Sequence, residues 1–323
     1  MEHLFSISAY EFDLNGYGGP AEMIRRTKEL GADGIELLTG YFDPDPIFRG
    51  VTKGVHLPYA TDWYSVWCGD VKPADDENIK FKSYGVDRKD IIKNLTAAIT
   101  HASLLSPNYG VLHASNTRMD EVMGFTHRDA DHEILNAIAE MLNGVASSFP
   151  DKDMPFTILL ENIWWPGLTM ADDSGFRILD DLLDFDNWGI CLDTGHLMAR
   201  LENCRYEEES ISNLLSIFRS YPRKMTDRID LIHLHMSLSA DYIEQCKRNP
   251  VVIETDDHNE MMKKAYEHVC KLDEHRPFTS PSVTKIIETI SPKYVTHEIS
   301  APTADDVLSG FSSQRSLFSR KTE

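Results

Sequence analysis

Acids and imidazoles recur along this chain at one kind of place, the downstream end of a short apolar run. Glu36, His56, His113, Glu161, Asp193, His235 and Glu298 all stand so, and His196 follows Asp193 by three residues in Asp193-Thr194-Gly195-His196, where Gly195 permits a sharp turn. A carboxylate and an imidazole at a strand end suit divalent-metal ligation or proton transfer. A single histidine there is more often a hydrogen-bonded structural residue, and a single glutamate more often caps the next helix. A whole set meeting at one mouth is different. The carboxylates would repel, and each buried charge needs a partner that a divalent cation supplies.

The elements that would position these residues alternate. Apolar runs read as strands at Leu4–Tyr10, Gly34–Leu38, Val55–Leu57, Tyr109–His113, Phe156–Glu161, Gly189–Leu192, Ile229–His235 and Tyr294–Ile299. Helical periodicity lies between them, as from Pro20 to Leu30 and over Ile91–Leu105, His132–Phe149, Phe176–Leu183, Glu207–Tyr221, Met261–Leu272 and Val283–Ile290. Only the connection after the second strand, Thr39–Lys53, is too rich in Gly, Pro and Asp for a crossover helix. Eight strands in about 300 residues predict an α/β fold, a single-domain (β/α)8 barrel, whose chemistry collects at the C-terminal strand ends. The barrel is expected over 1–302, with 303–323 a C-terminal helix and frayed, partly disordered tail. No G-x-G-x-x-G follows the first strand and no P-loop motif occurs, so dinucleotide and P-loop readings lose support.

Ile232-His233-Leu234-His235 places both histidines on one face of the seventh strand, because side chains alternate with period two. His235, nearer the strand end, is the expected ligand, and His233 would sit a layer deeper. Trp63, Trp67, Trp164 and Trp165 fall near the predicted mouth, where an aromatic face can stack on a sugar ring or simply pack.

Charge narrows the partners. The 323 residues carry 52 acids against 32 bases, a formal charge of −20. That disfavours a general nucleic-acid or anionic-membrane surface. The loop after the third strand, with Asp62, Asp70, Asp75, Asp76 and Glu77, suits a lid over a small ligand better than a DNA cradle. Five scattered cysteines without a C-x-x-C indicate reduced thiols. Met1–Ile7 has no basic segment leading into an apolar one, so no signal peptide is expected, and no apolar run approaches membrane-span length. A cytoplasmic protein with a small-molecule substrate is expected, and a homo-oligomer is allowed.

Four motifs, Leu160-Glu161-Asn162, Cys191-Leu192-Asp193-Thr194-Gly195-His196, His233-Leu234-His235 and His297-Glu298-Ile299, together resemble the xylose-isomerase-like TIM-barrel superfamily over residues 1 to about 300. That superfamily includes sugar-phosphate isomerase/epimerases and the endonuclease IV branch of the AP endonucleases (family 2). The resemblance to the first branch implies one divalent cation (Mn²⁺, Mg²⁺, Co²⁺ or Zn²⁺) on Glu161, Asp193, His235 and Glu298. Glu161 and Glu298 would then exchange a proton through an enediolate, and His196 would polarise a substrate oxygen. His56, His113 and Trp63 are the expected substrate contacts. The endonuclease branch implies instead two or three cations and phosphodiester hydrolysis, with His56, His113, His196, Asp256 and His258 as further ligands. There His113-Ala114-Ser115 departs from the usual Pro-Gly-Ser, and Asp256-Asp257-His258-Asn259 reads equally well as the cap of the helix at Met261. A third alternative is a metal-binding barrel subunit without sugar chemistry.

Overall fold

The computed structural model describes residues 1–73, 79–118, 120–252 and 258–319, the side chains of 258 and 259 excepted. Eight strands form a closed barrel in chain order. They are β1 (Glu2–Ser8), β2 (Gly34–Leu38), β3 (Thr52–His56), β4 (Tyr109–His113), β5 (Thr157–Glu161), β6 (Trp188–Asp193), β7 (Ile229–Leu234) and β8 (Tyr294–His297). Every neighbouring pair is parallel, and β1 closes on β8 through Phe5 opposite His297.

Alternation along the strands sorts the side chains. Phe5, Ile35, Leu37, Val55, Leu112, Leu160, Leu192, Ile232 and Val295 face outward into the main apolar core beneath the helices. Leu4, Tyr109, Val111, Leu159, Cys191 and Leu231 form a second cluster inside the barrel. Two residues further along the same strands, the inward positions become Ser6, His113, Glu161, Asp193 and His233. The floor is therefore apolar and the upper layer polar, as a barrel with a site at its C-terminal face requires.

Helices Pro20–Glu29, Arg88–Ser103, Asp131–Ala146, Ser174–Leu182, Glu207–Phe218 and Thr284–Ile290 clothe the barrel. Between β2 and β3 there is only a single 3-10 turn, Pro46–Phe48. Short helices at Tyr64–Cys68 and Ala240–Arg248 were not apparent from periodicity. The segment after Pro302 holds the helix Ala304–Ser316, which docks through buried Leu308, Phe311 and Gln314. The Gln314 amide donates to Leu234 O and His297 Nδ1, both 2.8 Å away, fastening this helix to the ends of β7 and β8. No helix among the described residues is long and apolar enough to cross a membrane.

Candidate metal centre

The polar layer converges on Glu161, the last residue of β5. One carboxylate oxygen, Oε2, lies 3.2 Å from His56 Nε2 and 3.3 Å from His113 Nε2. The other, Oε1, lies 3.1 Å from His233 Nδ1 and 3.4 Å from His196 Nδ1. His233 Nδ1 also stands 3.5 Å from Glu298 Oε1 and 3.8 Å from Asp193 Oδ2. Glu161, Asp193, His233 and Glu298 thus form one compact ligand set, and His56, His113 and Glu161 form another. A third set is His196, His235, Asp273 and His275. It joins the first through His235 Nε2, 2.9 Å from Asp193 Oδ2.

Local structure holds these groups in place. Asn162 pins β5 to β6 by donating to Asp193 O and accepting from Asp193 N, at 3.0 and 2.9 Å. Asp193 caps the helix Thr194–Leu201 by accepting from His196 N. The Thr194 hydroxyl reaches the carbonyls of His233 and His235. Gly195 sits inside that helix, and its value is space: an added Cβ would stand 2.0 Å from His235 Cε1. The sharp turn expected there is not what the glycine serves.

Two imidazoles have their tautomers set by backbone. His56 Nδ1 lies 2.9 Å from Leu57 O, and His196 Nδ1 2.9 Å from Asn162 O. Each thereby turns Nε2 towards a carboxylate, Glu161 for His56 and Asp273 for His196. This backbone anchoring is the usual support for a metal-ligating histidine.

The donor set fits divalent cations. Glu36, Glu161, Asp193, Asp273 and Glu298 have no lysine or arginine partner among the described residues; imidazoles are the only basic groups that face them there. Burial by itself would push His196 and His233 down, but the surrounding acids outweigh it and hold both well above the ordinary histidine range. His275 is likewise raised to about 9, burial being overcome chiefly by Asp273. Burial opposes ionisation of Glu161, yet His233 and His113 keep its carboxyl well below the usual range. The protons on these imidazoles do the work a cation would do.

Several expectations change. The histidine grouped with Glu161, Asp193 and Glu298 is His233; His235, expected there, lies past the end of β7, 2.9 Å from Asp193 Oδ2 and grouped with His196, Asp273 and His275. Among the described residues an Asp-x-His enters the site from Asp273-Glu274-His275. Its Asp273 Oδ2 is 3.2 Å from His196 and 2.7 Å from His275, whose ring stacks on His235 at 4.0 Å. Asp256 and the side chain of His258 lie outside the described residues. Both triplets are visible in the sequence; what marks the second is the Met236–Arg276 bridge, which brings it back to β7. Trp63 is buried, 1% exposed, donating to Ser115 O and packed on Trp67, so it does not line the cleft. The aromatic walls are Tyr59, Trp164 and Trp165, around a cleft of about 260 Å³. His56, His113, Glu161, His196, Asp273, His275 and Glu298 line it, and among the described residues no lysine or arginine does. A larger groove of about 880 Å³ near Phe42 and Phe48 lacks any such cluster.

No family model and no curated protein matches the sequence. Solved structures match the fold along its whole length. Endonuclease IV from Thermus thermophilus is 14% identical, with 99% of each chain covered and a TM-score of 0.50. A sugar phosphate isomerase/epimerase from Parabacteroides distasonis is 10% identical, covering 100% of this chain and 99% of that one, with a TM-score of 0.53. The IOLI protein with a binding zinc atom is 13% identical, with 100% of each chain covered and a TM-score of 0.52. The chain thus has the same (β/α)8-barrel fold as these structures.

Proposed function

We propose that this chain is a multinuclear metal-dependent hydrolase of a small phosphate ester. The observation that carries the reading is the position of Glu161. Its Oε2 faces His56 and His113 of one ligand set, and its Oε1 faces His233 and His196 of two others, so one carboxylate would serve more than one cation site. Ten residues would hold the metals: His56, His113, Glu161, Asp193, His196, His233, His235, Asp273, His275 and Glu298. Cations bound there would supply Lewis acidity toward a phosphoryl oxygen and lower the pKa of an attacking water.

Charge supports an anionic substrate only if the site is multinuclear. Against five carboxylates, one divalent cation leaves a net of about −3, and three give about +1. The residues of this chain do the rest. Glu298, 12% exposed at the cleft edge and close to Ser6 Oγ, is placed to hold the proton taken from water. Tyr59, Trp164 and Trp165 wall the cleft and limit bulk solvent. The cleft's small volume and the lack of lysine or arginine among its described lining residues favour a small molecule over DNA. On this reading the protein works in a reducing, cytoplasmic setting, consistent with its five free thiols.

The isomerase/epimerase reading keeps one supporting observation. Glu161, Asp193, His233 and Glu298 by themselves complete a four-ligand site beside a cleft of sugar-like size. It also asks Glu161, which lines the cleft but is only 1% exposed and ringed by four imidazoles, to take a proton from a substrate carbon.

The test is elemental analysis of protein purified without chelator. Turnover is then measured on aryl phosphate mono- and diesters and on a panel of ketoses and aldoses. Two or three equivalents of metal with ester hydrolysis are expected. One equivalent with sugar interconversion would replace this reading by the isomerase. Bound metal with turnover of neither panel would leave the barrel a binding subunit.

A further inference from the structure

Beneath the metal set lies a buried acid that faces none of the other carboxylates' ligand atoms and opens onto no cleft. Glu36 of β2 is 1% exposed. Its Oε2 accepts from Tyr109 Oη at 2.6 Å and from Thr296 Oγ1 at 2.9 Å. Its Oε1 stands 2.9 Å from His233 Nε2, the ring nitrogen turned away from Glu161 and Glu298. The angle there is too oblique for a hydrogen bond, so Glu36 Oε1 and His233 Nε2 are both buried without one. A small rotation of the ring would complete it.

The pocket for this acid is built from four strands. Tyr109 comes from β4, Thr296 from β8 and His233 from β7. Opposite Tyr109 in register is Gly54 of β3, where an added Cβ would stand 2.1 Å from the tyrosine ring. The glycine clears the path by which the phenol reaches Glu36. Burying a carboxylate under four others is costly unless it has a task.

We propose that Glu36 is the positioning residue for His233, fixing its proton on Nε2 so that Nδ1 is presented to the cation as a lone pair. This rests on the metal reading above. A carboxylate behind a ligating imidazole orients the ring and raises its basicity. Glutamine in its place keeps the shape but loses the charge and can offer an N–H instead. That would favour the tautomer with the proton on Nδ1, which cannot ligate.

The experiment is metal affinity by competition with a chromophoric chelator, using Zn²⁺ as the probe, for the wild type and for Glu36→Gln, Tyr109→Phe and Thr296→Val. Glu36→Gln should bind one equivalent about 10–100-fold more weakly while the remaining equivalents are unchanged. Tyr109→Phe and Thr296→Val, which each remove one bond to the acid, should shift the same equivalent in the same direction by less. They carry the test if Glu36→Gln does not fold. Unchanged affinities in every folded variant, with only the melting temperature of the metal-free protein altered, would overturn the proposal and leave Glu36 a structural acid. A wild type that binds no Zn²⁺ would overturn the metal reading itself.

Discussion

Gly195→Ala is a small substitution that should remove a ligand. In the interior of the helix Thr194–Leu201 alanine is ordinarily the better residue, by about 0.5–1 kcal/mol. Here its Cβ would lie 2.0 Å from His235 Cε1 and 2.3 Å from His235 Nδ1. Carbon atoms in contact sit about 3.5–4.0 Å apart, so the ring must retreat by more than 1 Å. His235 has no free direction, being wholly buried, stacked on His275 and held at its backbone by Thr194. Overpacking of this kind costs about 1–3 kcal/mol, which outweighs the helical gain. Metal–ligand distances tolerate only about 0.2 Å, so the displaced imidazole leaves the set containing His196, Asp273 and His275. The assay is metal content and Zn²⁺ titration alongside urea unfolding of the metal-free protein. Loss or marked weakening of one equivalent is expected, with the Glu161–Asp193–His233–Glu298 set still loaded, and a modest fall in stability. Full metal content with wild-type affinity would refute the claim that Gly195 exists to admit His235, and with it the place of His235 beside the metals.

Trp63→Ala should act on stability alone: deletion of a buried tryptophan costs about 3–5 kcal/mol, and catalytic parameters of the protein that remains folded should hold. A raised KM with normal stability would return Trp63 to the substrate cleft. A second expectation concerns acid. His3, whose Nδ1 lies 3.0 Å from His297 Nε2, is lowered from 6.5 to about 4 by burial first and then by Arg315, against Asp33. The unfolded chain therefore takes up this proton first as the pH falls. Stability present above 6.5 drains away down to about 4, by at most about 3 kcal/mol. Urea midpoints of the metal-free protein at pH 7 and 4.5 should show His3→Gln losing less on acidification than the wild type; equal losses would remove His3 from the acid response.

Much of the site was legible because strand ends in a parallel barrel are also sequence punctuation. Glu161, Asp193 and Glu298 each follow an apolar run, and period two sends each of them inward above Leu159, Cys191 and Tyr294. The same rule found His56 and His113. It favoured His235 over His233, which share a face and differ only in depth, whereas the folded chain groups His233 with Glu161, Asp193 and Glu298. That choice is made by the pairing of β7 with β6, which sets Asp193 opposite His233 after a register shift at Ile190. Nor could it recover Asp273 and His275, which lie far along the chain from β7 and return through the Met236–Arg276 bridge.

The sequence by itself determined the alternation of strand and helix, hence the barrel and the inward row of acids and imidazoles, because those follow from side-chain periodicity within each segment. Only the tertiary structure decided which donors share a cation, that Trp63 is core, and that Gly54 and Gly195 exist as gaps for Tyr109 and His235. Those are statements about distances between segments, fixed by strand register and close packing, and no local pattern encodes them.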